Sequence, residues 1–204
     1  MVNYTLDNQT KITDIFPSLI YQTVLDLDLS KMLKTVEELV NQIHPPGSEW
    51  DTWFGHYTMP SLELVDTIFK DLKEQKEYHA NKFYKTVHDT TENIELKRMW
   101  GIVFNQGGSM RPHTHHECLY SSCFYLKNNL NGKIVFTHPS QLRFNAVVDF
   151  APLPGELIIW PGWLLHEVPA IKDNTQRVSI AGKLDYTSPK TSLENRQLDS
   201  EYQV

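Results

Sequence analysis

A chain of 204 residues, 40% hydrophobic and 22% charged, has the size and balance of one globular domain. Its net charge of −6 and the lack of any basic run argue against a nucleic-acid partner. No stretch approaches the length of a membrane span and residues 1–11 lack an apolar signal core, so a cytoplasmic protein away from membranes is expected.

The first half reads as helical after an extended lead-in. Residues 14–21 are apolar around Pro17, which suits an irregular or edge strand. Ser30 is placed to cap a helix through Met32, Leu33, Val36, Leu39, Val40 and Ile43, which Pro45-Pro46 stops. A second helix is predicted from Leu62 to about Val87, with an apolar stripe through Val65, Ile68, Phe69 and Leu72 that continues to Tyr78, Phe83 and Tyr84. Both helices need a surface to pack on, and a sheet from the second half would supply it.

From Ile94 the texture changes to short β-rich runs, predicted at 95–105, 118–126, 133–138, 146–150, 156–160, 163–168 and 176–185. Turn signals separate them, among them Gly107-Gly108, Asn131-Gly132, Pro161-Gly162 and Asp173-Asn174. The expectation is a mainly β fold with flanking helices, a double-stranded β-helix or cupin-like jelly roll. One domain spans residues 1–185, with a helical part to about 93 and the core at 94–185; residues 186–204 form a polar tail. Cys118 and Cys123 fall in one predicted strand at an odd separation. They would face opposite ways and stay unbridged, as small buried residues in a reducing compartment.

The chemistry concentrates in His113-Thr114-His115-His116-Glu117. In an extended chain His113, His115 and Glu117 share one face. Two imidazoles and a carboxylate with open positions form the usual ligand set of non-haem Fe(II) oxygenases, and zinc would accept the same donors. The alternative is a solvated histidine cluster. Three features favour a site: Gly107 turns the chain ahead of His113, His166 follows the Pro161-Gly162 turn, and Arg177 and Ser179 share one strand face. A guanidinium and a hydroxyl aimed inward make a carboxylate clamp. Trp160 and Trp163 flank the turn before His166 and could wall a pocket.

The order Phe104-Asn105-Gln106-Gly107, His113-x-His115, Tyr125-Leu126, Pro154-Gly155-Glu156-Leu157-Ile158-Ile159-Trp160-Pro161, His166 and Arg177-x-Ser179 resembles the 2-oxoglutarate/Fe(II)-dependent oxygenase superfamily. Within it the chain looks closest to a family of such oxygenases from marine bacteria and their phages, through Ile15-Phe16-Pro17 and the strand Ser121-Ser122-Cys123-Phe124-Tyr125. A phage-encoded protein of this kind would act in the host cytoplasm. The stretch His166-Glu167-Val168-Pro169-Ala170 is similar to the corresponding strand of prolyl hydroxylases. The resemblance implies Fe(II) held by His113, His115 and His166, and 2-oxoglutarate held by Arg177 with Ser179 and Tyr125. The superfamily's usual second ligand is Asp or Glu, so Glu117 stands as the alternative to His115. It further implies a hydroxylase-type dioxygenase that releases succinate and carbon dioxide and acts on a small-molecule or peptidyl substrate; a homodimer is left open. The competing readings are a cupin-like metalloenzyme without 2-oxoglutarate and a non-catalytic jelly-roll binding protein.

Overall fold

The computed structural model describes residues 3–5, 11–13, 18–43, 56–58, 68–137 and 147–187. The tail beyond 187, the stretch 14–17 and the predicted start of the second helix at 62–67 lie outside them.

Two antiparallel sheets carry the fold. The larger has six strands in the order β3 (Tyr21–Val24), β10 (Glu156–Pro161), β7 (Tyr120–Lys127), β12 (Arg177–Tyr186), β5 (Ile94–Phe104) and β4 (His56–Thr58). The smaller has four: β6 (Met110–His113), β11 (His166–Val168), β8 (Ile134–Thr137) and β9 (Val147–Phe150). A separate hairpin pairs β1 (Asn3–Thr5) with β2 (Lys11–Thr13). This is the mainly β jelly roll the strand pattern predicts, flanked by α1 (Leu29–Ile43) and α2 (Lys70–His88).

Alternation along the central strands sorts side chains between two environments. On the outer face, Tyr120, Phe124, Val178, Ile180 and Leu184 meet Met32, Val36 and Val40 of α1 and Leu72, Ala80 and Phe83 of α2. On the inner face, Cys123, Tyr125, Ile158 and Trp160 meet Ile134, Phe136 and Leu164 from the small-sheet side. The sheets thus face each other, and the helices cover only the large one. Among the described residues no helix is long and apolar enough to cross a membrane.

Several boundaries differ from the sequence expectation. Asp28 caps α1 instead of Ser30, its carboxylate accepting from the Lys31 amide at 3.0 Å. The lead-in strand starts at Tyr21 and runs to Val24, because its partner is Glu156–Ile159 of β10. Ile68 and Phe69 form a turn ahead of α2. Residues 162–164 form a turn, where the Leu164 amide donates to the Pro161 carbonyl, and β11 begins only at His166. Cys118 precedes β7; both cysteines are buried and free.

The α2 stripe also departs from expectation. Tyr78 is exposed, and Lys76 takes an inner position between Leu72 and Ala80. Its ammonium crosses the core to donate to the Ile180 carbonyl at 2.7 Å and the Ser122 hydroxyl at 3.3 Å. The space exists because Gly182 faces it without a side chain: a Cβ there would lie 3.2 Å from Lys76 Nζ. Burial pushes Lys76 from 10.5 down to about 7, so the unfolded chain binds more protons between those values. Stability should therefore rise with pH across that window. Lys76→Met should remove the slope and stabilise the fold near neutrality by on the order of a few kcal/mol. Urea unfolding at about pH 7 and about pH 9.5 reads this directly, and an unchanged slope in the variant would assign it to another group.

Candidate metal and anion site

Between the sheets lies a cavity of about 260 Å³, with His113, His115 and His166 at one wall and Arg177 at another. The histidines arrive from different elements. His113 ends β6 and pairs directly with His166 of β11, while His115 follows in the next loop. Ring centroids are 4.3 Å apart for His113–His166, 4.9 Å for His113–His115 and 5.2 Å for His115–His166. One nitrogen from each lies within 4.8 Å of the others, a spacing that fits a single ion.

The donor chemistry fits as well. His113 Nδ1–H donates to the Arg111 carbonyl and His166 Nδ1–H to the Leu164 carbonyl, each at 2.8 Å. A carbonyl only accepts, so each Nδ1 carries the proton and leaves the Nε2 lone pair for a cation. Burial pushes His166 down to about 3 and His115 to about 4, with the neighbouring histidines adding to both. These two imidazoles are therefore neutral, as metal ligation requires. Trp160 packs edge-on against His166 at 4.9 Å, and Trp100 against His115 at 6.3 Å.

Glu117 is not with the triad. The strand ends at His113, residues 116–117 form a turn, and the Glu117 carboxylate pairs with Lys183. The two-residue alternation that would aim Glu117 alongside His115 fails because the chain stops being extended. A clamp explains the bend. The His115 amide donates to the Gly162 carbonyl at 2.7 Å, and the Gly162 amide to the Leu119 carbonyl at 2.9 Å. A Cβ on Gly162 would come within 2.2 Å of the Cys118 carbonyl and 2.5 Å of the His115 carbonyl. Gly162→Ala should thus displace the His115 loop and weaken metal binding by at least about tenfold, comparable to losing an outer-shell partner. Metal titration alongside thermal unfolding checks this; unchanged affinity would show that the loop moves without carrying His115.

Arg177 is 2% exposed. Its guanidinium donates to the Tyr125 hydroxyl at 3.2 Å and the Ser179 hydroxyl at 3.4 Å. The rings of Phe104 and Tyr125 lie 5.1 and 5.0 Å from its central carbon. Its Nε has no hydrogen-bond partner, and among the described residues no carboxylate pairs with it. Burial raises the Tyr125 phenol, so that group stays neutral and cannot serve as the counter-charge. A buried cation met only by hydroxyls and aromatic faces is an anion site.

Of the two tryptophans near the turn, Trp160 lines the cavity and Trp163 is exposed. Trp100 and Lys183 were not singled out by sequence. Their signal was period-two alternation on β5 and β12, which marks a face without saying what it faces.

Residues 98–182 match the family described as "Putative 2OG-Fe(II) oxygenase". No curated protein matches the chain in sequence. Among solved structures, HygX from Streptomyces hygroscopicus with nickel and 2-oxoglutarate bound is similar, with a TM-score of 0.60, 12% identity, and 83% of each chain covered. A Pseudomonas putida prolyl-4-hydroxylase has a TM-score of 0.60 at 15% identity, over 84% of this chain and 94% of that one. The non-haem α-ketoglutarate-dependent epimerase SnoN from nogalamycin biosynthesis has a TM-score of 0.64 at 10% identity, over 84% and 79%. At these identities the structural likeness speaks for the fold. The sequence match and the triad together support Fe(II) and 2-oxoglutarate as the cofactors.

Proposed function

We propose that this chain, whose residues 98–182 place it in the 2-oxoglutarate/Fe(II)-dependent oxygenase superfamily, is a hydroxylase-type dioxygenase. His113, His115 and His166 would hold the iron through Nε2, or its equivalent on His115, as three imidazole donors. When bound, Fe(II) would supply the redox chemistry that couples oxidation of 2-oxoglutarate to succinate and carbon dioxide with oxidation of a substrate. Arg177, with Tyr125 and Ser179, would hold the distal carboxylate of 2-oxoglutarate.

The observation that carries this reading is Arg177 itself. A metalloenzyme with no acidic cosubstrate has no use for a buried guanidinium facing the same cavity as the triad. Phe104, with Tyr125, walls the guanidinium and strengthens its charge-assisted bonds by keeping water out. Tyr125 stays protonated and can donate to a carboxylate oxygen while accepting from Arg177. Ile102, Met110, Trp160 and Val168 line the rest with apolar surface, which limits solvent near the reacting atoms.

Uncoupled turnover tests the proposal without a known substrate. Protein loaded with Fe(II) and given 2-oxoglutarate and ascorbate in air should form succinate slowly, one per 2-oxoglutarate consumed. An iron-loaded protein that binds 2-oxoglutarate but never forms succinate, with or without candidate substrates, would contradict the enzymatic reading.

A further inference from the structure

We infer that the cavity mouth carries an anion subsite made by Arg98 and Lys183 beside Trp100, and that the oxidised substrate is a small molecule bearing a carboxylate or phosphate. The inference rests on the oxygenase reading for the word substrate, but the subsite stands on its own geometry.

The inner faces of β5 and β12 run as a ladder from the clamp outward. Arg177 pairs with Phe104, Ser179 with Ile102, Ala181 with Trp100, and Lys183 with Arg98. The register shift comes only after Lys183, so these four rungs share one face. The last rung sets two cations directly opposite each other, an unfavourable pairing in an antiparallel sheet. Both turn toward the same indole: the Arg98 guanidinium carbon lies 5.5 Å from the Trp100 ring and Lys183 Nζ 5.7 Å from it. Glu117 supplies one carboxylate, to Lys183. Among the described residues none pairs with Arg98.

Trp100 joins this pair to the triad, because its ring meets His115 edge-on. Two residues along a strand is about 7 Å, so an anion on Arg98 and Lys183 would sit one short molecule away from the level of Trp100 and His115. The cavity of about 260 Å³ must also take 2-oxoglutarate at Arg177. Only the reacting end of a substrate then enters, past apolar walls, while its charged end stays at the mouth.

The test uses phenyl phosphate and phenylacetate as probes, with benzyl alcohol as the neutral control, titrated calorimetrically into wild type and variants. With the deep clamp filled by saturating 2-oxoglutarate in anaerobic, Fe(II)-loaded wild type, or removed by Arg177→Leu, the protein should bind one equivalent of an anionic probe. Arg98→Gln should weaken that binding several-fold, and Arg98→Gln with Lys183→Gln at least about tenfold, with benzyl alcohol unaffected. The better of the two probes identifies the anion as phosphate or carboxylate. Arg98 is exposed, so its single variant keeps the test readable should the double variant lose structure. Equal affinity in wild type and Arg98→Gln, no binding of either probe to wild type, or loss of binding only on Arg177→Leu would each overturn the subsite. Absence of succinate formation with the Arg98 effect intact would count against the oxygenase reading alone.

Discussion

Arg177→Leu should abolish 2-oxoglutarate binding while leaving Fe(II) bound. Leucine fills part of the space between Phe104 and Tyr125 but offers no donor. Two charge-assisted hydrogen bonds at about 1.5–3 kcal/mol each amount to a loss of at least about 100-fold in affinity. Arg177→Lys should fall between, because a point charge cannot reproduce the fork that Arg177 extends past Ser179 and Tyr125. Calorimetric titration of anaerobic, Fe(II)-loaded protein measures both effects. Unchanged 2-oxoglutarate affinity in Arg177→Leu would favour a cupin-like metalloenzyme that takes no keto acid.

The second large effect concerns the triad. His113→Ala or His166→Ala should weaken metal binding by more than about 100-fold, beyond the 10–100-fold typical of losing an outer-shell partner. His115→Asp should keep the metal, since it restores two imidazoles and a carboxylate. Glu117→Gln should leave metal affinity within about twofold, because the carboxylate faces Lys183 and the solvent-exposed rim. Equilibrium dialysis against Fe(II) under nitrogen separates these variants. A loss in Glu117→Gln as large as in His113→Ala would make Glu117 the third ligand and displace His115 from that role.

How much of this was legible in the sequence depends on the range of the interaction involved. The strands of the second half were readable because turn residues separate β-rich runs, so predicted 95–105 is Ile94–Phe104 and 176–185 is Arg177–Tyr186. His113, His115, His166 and Arg177 were readable as residue types at a spacing, and the fold brings them to one cavity. Glu117 was misplaced because alternation holds only while the chain stays extended. The bend after His113 is set by Gly162, which lies 49 positions later and leaves no local mark. Lys76 was unreadable for a similar reason. A lysine at a helical position belongs by default to the solvated face, and only Gly182 and Ser122 on distant strands make room for it. Trp100 and Arg98 are alternating residues on β5, and their importance appears only when Lys183 and His115 are set beside them.

A single cavity is proposed to hold a metal on three histidines and an acidic cosubstrate on Arg177. Anaerobic titration of the protein with Fe(II) and then 2-oxoglutarate tests it most directly. One Fe(II) should bind per chain, followed by a weak visible charge-transfer band that saturates at one 2-oxoglutarate and is absent from Arg177→Leu. Stoichiometric Fe(II) with no such band at any 2-oxoglutarate concentration would contradict it.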